Sequence, residues 1–203
     1  MREEEVLEIF EKTGALLEGH FLLSSGLHSS QYFQCAKVLQ YPQYAEELAE
    51  DIAGHFSGVD VDFVIAPALG GLIIGHEVAR AMKTRFIFTE RAGEEDVMTL
   101  RRGFDIEVGE KALIVEDVLT TGRSLREVLK LLQGESVKVV GIGFIVDRSG
   151  GQVKFGVEKY AVLEMPVVTH TPEECPLCAK NIPIERPGSR KMKVFSSPEE
   201  ETE

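Results

Sequence analysis

The sequence predicts an α/β fold with a central, mostly parallel sheet flanked by helices. Short and almost entirely apolar segments recur at residues 61–66, 85–89, 112–116 and 137–146. Helix-length segments with apolar residues on one face follow the first and the third of them. Apolar strands that alternate with helices are typical of a parallel sheet covered on both faces. Such a sheet binds its ligands at the carboxyl ends of its strands.

The N-terminal part of the chain has a different pattern. Residues 3–12 have helical spacing of apolar side chains, and Gly14 can end that helix. Two short strands around a glycine-containing turn are expected at 21–26 and 31–34. Pro42 begins a further helix, whose inward residues are Ala45, Leu48, Ala49, Ile52 and Phe56.

The later helices follow the predicted strands directly. One begins after residues 67–71 and ends near Met82, and the other spans 122–133. Its inward residues are Leu125, Val128, Leu129 and Leu132. The ends of the strands therefore place residues 67–71, 116–117 and 147–148 at one edge of the sheet.

The composition indicates one folded domain, which we expect to span residues 1–190. The chain has 203 residues, of which 43% are hydrophobic, enough for a full core. The polar segment 191–203 is expected to be a disordered tail. A net charge of -12 opposes non-specific nucleic-acid binding, so an anionic ligand would need a local basic cluster.

The sequence also predicts a cytoplasmic location. The N-terminus has no apolar segment behind a basic one, so no secretory signal is expected. The longest apolar run, at 63–75, is interrupted by Pro67 and three glycines and is too short to span a bilayer. Three cysteines cannot all pair within one chain, which favours a reducing compartment.

Residues 112–124 hold the strongest functional pattern. The apolar strand ends in Glu116 and Asp117, whose carboxylates can accept hydrogen bonds from sugar hydroxyls. A Thr120-Thr121-Gly122 turn follows, and a helix begins there. Unpaired N–H groups and the helix dipole favour an anion at such a turn. The pattern therefore predicts a phosphorylated ribose as ligand.

Two other nucleotide-binding motifs do not fit this turn. It lacks the Gly-Lys pair of a Walker loop and the spaced glycines of a dinucleotide site. Gly122 permits close approach of the backbone to a ligand, and Ser124 adds a hydroxyl. The alternative is a plain strand-to-helix turn, with a threonine as N-cap and both acids solvated.

Residues 115–124 resemble the phosphoribosyl-pyrophosphate loop of the type I phosphoribosyltransferases. Further segments are similar to the members of that family that act on orotate, namely 13–21, 25–29, 100–104 and 147–151. The resemblance extends from about residue 10 to about residue 190. It implies the type I phosphoribosyltransferase fold with a small N-terminal hood, mainly residues 13–36.

The resemblance implies catalytic roles for Glu116, Asp117, Arg101 and Arg102. Negative charge beside the ribose suits an oxocarbenium-like transition state. The implied site for 5-phosphoribosyl 1-pyrophosphate (PRPP) comprises Glu116, Asp117, Val118, Leu119, Thr120, Thr121, Gly122, Arg123, Ser124 and Arg91. The implied pyrophosphate loop is Ala68, Leu69, Gly70 and Gly71, although two glycines there equally suit a tightly packed helix entry.

Arg148 and Thr120 are the orotate-binding residues that the resemblance implies. A guanidinium matches a carboxylate with two parallel hydrogen bonds, and orotate carries one carboxylate. The alternative, favoured by the residues alone, is a surface arginine that pairs with Asp147.

Residues 91–103 form a polar, glycine-bounded segment that we predict to be too irregular for a helix or strand. Such a segment is a solvated hairpin or a lid. The resemblance implies a lid that closes over the neighbouring subunit, with Arg101 and Arg102 at the leaving pyrophosphate and Arg91 behind them. The alternative is ion pairing of these arginines with Glu94, Glu95 and Asp96.

The sequence departs from the enterobacterial pattern of the family at three places that hold lysines there. The corresponding positions here are Ser24, Gly70 and the stretch 92–99, and none contains lysine. The lid of this chain would therefore rely on arginines.

Cys175 and Cys178 form a Cys-x-x-Cys motif without a second pair. Because a structural zinc ion needs four ligands, two free thiols are favoured over a metal site. His170 is a candidate third ligand, and Cys35 is remote in sequence. His28 is the one histidine expected near a ligand.

The activity that the resemblance implies joins orotate to PRPP, giving orotidine 5-phosphate and pyrophosphate in pyrimidine synthesis. Mg²⁺ would bind through substrate oxygens and water, with no direct protein ligand. The implied assembly is a homodimer that shares its lid, without nucleic-acid or membrane partners. Two alternatives keep the fold: a purine-base phosphoribosyltransferase, and a non-catalytic sensor of PRPP that regulates transcription.

Overall fold

The computed structural model describes residues 1–23, 25–93, 96–166 and 168–187. These form two compact units, a main unit of Met1–Leu17 with Phe33–Val167 and a small unit of Glu18–Tyr32 with the residues from Val168. The predicted single domain over 1–190 stays a prediction. The tail at 191–203 and Ser24 lie outside the described residues.

The secondary structure alternates between strands and helices through most of the chain. In chain order the elements are α1 (Glu3–Lys12), β1 (Leu16–Leu22), β2 (His28–Phe33), α2 (Ala36–Leu39), α3 (Pro42–His55), β3 (Phe63–Pro67), α4 (Gly71–Met82), β4 (Arg85–Ala92), β5 (Val97–Leu100), β6 (Lys111–Leu119), α5 (Arg123–Gly134), β7 (Lys138–Asp147), β8 (Lys159–Glu164), β9 (Thr169–His170) and α6 (Pro176–Ala179). Among the helices in the described residues, none combines the length and apolar character needed to cross a bilayer.

The main unit is built on a six-stranded sheet of order β5-β4-β3-β6-β7-β8. The pairs β3–β4, β3–β6, β6–β7 and β7–β8 are parallel, and β4–β5 is antiparallel. The predicted mostly parallel sheet is therefore confirmed. The parallel arrangement arises because α4 connects β3 to β4 and α5 connects β6 to β7, so the two strands of each pair run in the same direction.

Both faces of this sheet are covered by apolar helix faces. All five residues of β3 are buried; Val64 belongs to one core cluster with residues of α3 and α4, and Ile65 belongs to the other with residues of α5. Fully burying one large apolar side chain contributes about 1.5–3 kcal/mol. This two-sided burial explains why the strands have nearly continuous apolar sequences.

The prediction for residues 91–103 is wrong in part, because β4 and β5 form an antiparallel hairpin there. Arg91 pairs with Met98 and Ala92 with Val97 in its register. Backbone hydrogen bonds can pair two strands even where their side chains are polar. The buried side chain of Met98 attaches this hairpin to the core. Strand β8, next to β7, was also not predicted.

The small unit contains a three-stranded sheet of order β1-β2-β9. His28 lies opposite His170 in the antiparallel β2–β9 pair. Glu185 extends the contacts of β1, since its N–H donates to the carbonyl of His20 at 2.7 Å. The two N-terminal strands were predicted at 21–26 and 31–34, and the structure shifts them to Leu16–Leu22 and His28–Phe33.

Candidate active site

The carboxyl ends of three neighbouring parallel strands form one edge of the main sheet. Strand β3 ends at Pro67, β6 at Leu119 and β7 at Asp147. The backbone N–H of Arg148 donates to the carbonyl of Leu119 at 2.9 Å. The segments that the sequence placed at this edge are therefore brought together there.

The two acids lie inside β6 rather than at its end, because the strand continues to Leu119 instead of stopping at Glu116. Pairing with β7 extends that far, with Glu116 opposite Phe144. Asp117 is half-buried and faces the segment 68–71. A Cβ atom at Gly70 would lie 2.5 Å from a carboxylate oxygen of Asp117. Glycine at position 70 therefore allows the segment 68–71 to approach the Asp117 side chain on β6.

The environment of the Asp117 carboxyl group favours the binding of a hydrogen-bond donor. Burial raises its pKa above the ordinary value for aspartate. The N–H of Val118 donates to its Oδ1 at 2.9 Å and opposes that rise in pKa. Because the carboxylate has lost part of its hydration, hydroxyl groups of a ligand can replace the missing water.

The pyrophosphate-loop candidates 68–71 connect β3 to α4. The N–H of Ala68 donates to the carbonyl of Thr89 at 2.7 Å, and the next peptide bond, Ala68–Leu69, is cis. Leu69 is 71% exposed, which is unusual for leucine. A Cβ atom at Gly71 would lie 2.9 Å from that of Ala66, so this glycine is needed for packing as well.

The phosphate turn, residues 120–124, leads into α5. Gly122 is the N-cap residue, with φ of 70°, and no side chain caps the helix. This corrects the alternative in which a threonine is the cap. A Cβ atom at Gly122 would lie 2.8 Å from Phe155. The start of α5 therefore has no side-chain cap, and the helix dipole favours an anion there.

Arg148 is buried rather than at the surface, with 8% of its area exposed. Its guanidinium carbon lies 5.6 Å from the centre of the Phe33 ring. The carboxylate of Asp147 instead accepts hydrogen bonds from Lys159 Nζ at 2.6 Å and from the N–H of Ser149 at 2.7 Å. The surface alternative for Arg148 is therefore wrong.

The pKa of Asp147 is lowered on balance. Burial acts to raise it, but the hydrogen bonds from Lys159 and Ser149 favour the charged form more strongly. An ionised Asp147 therefore anchors the loop that begins at Arg148, because Ser149 is bound to it directly.

The lid arginines pair with a residue that the sequence did not suggest. Arg101 and Arg102 both contact the carboxylate of Glu90, at 3.0 and 2.8 Å, and more than half of each side chain is exposed. Glu90 lies opposite Thr99 in the β4–β5 hairpin. The pairing of β4 with β5 was not predicted, so this contact was not predicted either. The expected partners Glu94 and Glu95 lie outside the described residues.

Arg91 has a different environment from the other two arginines. Its Nη1 atom contacts Glu127 at 3.0 Å and lies 3.8 Å from Asp96, and only 15% of the side chain is exposed. Its Nε and Nη2 atoms are buried, and neither has a hydrogen-bond partner within the described ranges. Buried N–H groups of this kind suit an oxyanion ligand.

Comparison with known proteins identifies this arrangement. Residues 37–173 match the model of the phosphoribosyl transferase domain. Orotate phosphoribosyltransferase from Pelotomaculum thermopropionicum is 52% identical over 192 residues, which cover 95% of this chain and all of that protein. The chain belongs to the phosphoribosyltransferase family.

Solved phosphoribosyltransferase structures share the fold. Orotate phosphoribosyltransferase from Aeropyrum pernix is 25% identical, with a TM-score of 0.67, and covers 79% of this chain and 93% of that one. Adenine phosphoribosyltransferase from Thermoanaerobacter pseudethanolicus is 19% identical, with a TM-score of 0.56, over 66% of this chain and 88% of that one. The second likeness concerns the fold alone, so it does not indicate the base.

Proposed function

We propose that this phosphoribosyltransferase transfers the 5-phosphoribosyl group of PRPP to orotate, giving orotidine 5-phosphate and pyrophosphate in pyrimidine synthesis. The observation that carries the proposal is the contact between Gly70 and the Asp117 carboxylate, beside the uncapped start of α5. It supports a site in which Asp117 binds the sugar between two backbone segments that bind phosphate. The relatives that match nearly all of this chain at about half identity are named orotate phosphoribosyltransferase.

The proposed binding mode assigns one part of PRPP to each segment. The N–H groups and hydroxyls of residues 120–124 bind the 5-phosphate, and Glu116 and Asp117 accept hydrogen bonds from the ribose hydroxyls. The N–H groups of residues 68–71 bind pyrophosphate, with Arg91 as a further donor. Support comes from the positive φ of Gly122 and the buried N–H groups of Arg91.

The proposed reaction is a direct displacement without a covalent enzyme intermediate. A ring nitrogen of orotate loses its proton to water and forms a bond to ribose C1, while the bond from C1 to the pyrophosphate oxygen breaks. Positive charge develops on the ribose, and the fixed carboxylates of Glu116 and Asp117 stabilise it. Pyrophosphate leaves with the bonding electrons, so cations are needed at that end.

Mg²⁺ is the cation that we propose for the pyrophosphate, where it would neutralise charge. The donors at this sheet edge are carboxylate and carbonyl oxygens, which suit Mg²⁺. Within the part of the chain that the structure describes, no group of three or more His, Cys, Asp or Glu ligand atoms converges at this edge. We propose that substrate oxygens and water hold this ion.

Arg148 and Thr120 are the proposed contacts for the orotate carboxylate. Arg148 follows β7, and its backbone is bonded to the end of β6, next to Thr120. Its burial strengthens a charge-assisted hydrogen bond, because little water competes for the guanidinium.

An assay over several bases tests the proposed function. Purified full-length chain with PRPP and Mg²⁺ should consume orotate and release pyrophosphate, whereas hypoxanthine, guanine and xanthine should remain unchanged at the same enzyme concentration. Products are separated by chromatography, and heat-denatured protein is the control. Turnover of a purine with orotate untouched, or no turnover by folded protein, would refute the proposal.

We also propose a homodimer in which the lid serves the partner subunit's site. Arg101 and Arg102 are exposed and bound to Glu90 in the hairpin, so closure would exchange that carboxylate for pyrophosphate. We further propose a cytoplasmic location without nucleic-acid or membrane partners, in keeping with three free thiols and a net charge of -12.

Mixing two inactive variants tests the shared lid. Asp117→Asn and the double variant Arg101→Ala/Arg102→Ala, unfolded and refolded together, should recover about a quarter of wild-type activity. The reason is that half of the dimers are then mixed, and each mixed dimer has one intact site. Each variant refolded alone is the control. A mixture as inactive as its parents would show that the lid acts within its own subunit.

A further inference from the structure

Four side chains with metal-binding atoms converge in the small unit. They are His20, His28, Cys175 and Cys178, and their ligand atoms all lie within 4.8 Å of one another. His20, His28 and Cys175 are each at most 3% exposed. The histidines lie on β1 and β2, and the cysteines lie at the start and within the last turn of α6.

The separations between these atoms suit one tetrahedral ion. His20 Nε2 lies 3.0 Å from His28 Nδ1, 3.4 Å from Cys175 Sγ and 3.7 Å from Cys178 Sγ. Cys178 Sγ lies 3.3 Å from His28 Nδ1. Tetrahedral zinc, with bonds of about 2.0–2.1 Å to nitrogen and about 2.3 Å to sulfur, places such ligand atoms about 3.3–3.8 Å apart. The three separations that involve sulfur lie in this range, and the two nitrogens are slightly closer.

Hydrogen bonding alone does not account for the cluster. His20 Nδ1 lies 2.7 Å from the carbonyl oxygen of Ile182, so this nitrogen carries the proton and donates it. The Nε2 atom of a neutral ring then has a single lone pair, yet three polar atoms lie within 3.7 Å of it. A cation at the centre engages all four ligand atoms at once.

The hydrogen bond from His20 to the carbonyl of Ile182 is also typical of metal-binding histidines. A ligating imidazole usually donates its other N–H to a carbonyl or carboxylate, which fixes the ring and its tautomer. Here the free Nε2 is the atom that faces the cysteines.

We propose that His20, His28, Cys175 and Cys178 form a structural zinc site in the small unit. Two thiolates and two imidazoles are the donors that zinc prefers, whereas Mg²⁺ prefers oxygen. Four protein ligands leave no open position for catalysis. This ion is separate from the Mg²⁺ proposed for pyrophosphate, since its ligands belong to the small unit and the reacting groups to the main unit.

The site would fasten together two parts of the chain that are distant in sequence. Cys178 and His28 are 150 residues apart. The same two parts are joined by the short β2–β9 pair and by the backbone bonds of Glu185, and neither hydrophobic core cluster includes a described residue of this unit. Zinc would therefore supply much of the stability of the small unit, as it does in other metal-dependent folds.

The sequence favoured two free thiols because only two of the four ligands, Cys175 and Cys178, are close together in the sequence. The other half is on β1 and β2, and the structure places His20, rather than the candidate His170, beside the cysteines. The expectation that His28 lies near a ligand stays a prediction.

Metal content tests the proposal directly. Full-length chain without a histidine tag, purified under reducing conditions and supplied with zinc, should retain about one zinc per chain after gel filtration. Cys175→Ser and Cys178→Ser should each reduce that content at least about tenfold, because a hydroxyl is a poor zinc ligand. The matched controls Cys35→Ala and His170→Ala alter a cysteine and a histidine outside the cluster and should retain the metal.

Cobalt binding and thermal unfolding of the wild-type chain test the proposal even if the cysteine variants do not fold. Wild-type chain loaded with Co²⁺ should show the intense visible bands of tetrahedral sulfur and nitrogen ligation. Removal of the metal by a chelator should lower its melting temperature, and zinc but not magnesium should restore it. A reduced wild-type chain that retains no zinc, or a Cys175–Cys178 disulfide in chain isolated without oxidant, would overturn the proposal.

Discussion

Asparagine at position 117 is expected to lower kcat by about 10²–10³-fold while raising the melting temperature at neutral pH. The loss of activity follows because the Asp117 carboxylate is the charge nearest to Gly70 and the proposed ribose site. A neutral amide can still contact a hydroxyl, but it cannot stabilise a developing cation. Steady-state kinetics with PRPP and orotate measure the first effect, and calorimetry measures the second.

The gain in stability follows from the direction of the pKa shift. Burial raises the pKa of Asp117 in the folded chain above its unfolded value. The unfolded chain therefore ionises first as pH rises, so this residue costs stability once pH exceeds the unfolded pKa, and the cost is complete above the folded pKa. Asparagine removes that cost, since it can keep the hydrogen bond from the N–H of Val118.

The pH dependence makes this prediction specific. The difference in melting temperature between Asp117→Asn and wild type should be present at neutral pH, should shrink as pH falls through the raised pKa of folded Asp117, and should vanish below the unfolded pKa of aspartate. Asp60→Asn is the matched control, because Asp60 is 88% exposed and pairs only with Lys111 among the described residues. An Asp117→Asn chain that is less stable than wild type at neutral pH would contradict this account.

Much of the fold was predictable because its strands are buried on two faces. Each apolar run was long enough to identify β3, β6 and β7, and Pro42 marked the first residue of α3 correctly. Strand β5 was missed because its ladder depends on backbone pairing with β4, which the polar sequence 97–100 does not reveal. Strand β8 was missed because no predicted helix precedes it.

The candidate site was predictable where one segment holds several of its residues. Glu116, Asp117 and the following turn are adjacent in sequence and remain adjacent in the structure. Contacts between distant segments were not predictable, and the pairing of Arg101 and Arg102 with Glu90 is an example. The cluster around His20 is another, because periodicity gives no information on which strands lie beside Cys175.

Replacing Arg148 by glutamine is expected to lower kcat/KM for orotate by about 30–1000-fold and to leave KM for PRPP nearly unchanged. Loss of one partner from a buried, charged hydrogen-bonded pair costs about 2–4 kcal/mol, and each 1.4 kcal/mol is about tenfold. Arg148→Lys should lie between wild type and Arg148→Gln, because lysine keeps the charge but loses the paired donors. Titration calorimetry with orotate separates binding from turnover.

Arg80→Gln is the matched control for Arg148→Gln. Arg80 is a half-exposed arginine in the last turn of α4 that pairs with Glu46 and Glu77, at the opposite end of that helix from residues 68–71. Its replacement should leave both KM values unchanged. The two arginines thus separate a general effect of removing positive charge from a specific contact.

The alternative role for Arg148 is that of a phosphate ligand. If Arg148→Gln raised KM for PRPP and left KM for orotate unaffected, Arg148 would be a phosphate ligand, and other residues would have to select orotate. The burial of Arg148 beside Phe33 favours the planar base over a phosphate, because a ring and a guanidinium leave a flat, partly apolar space.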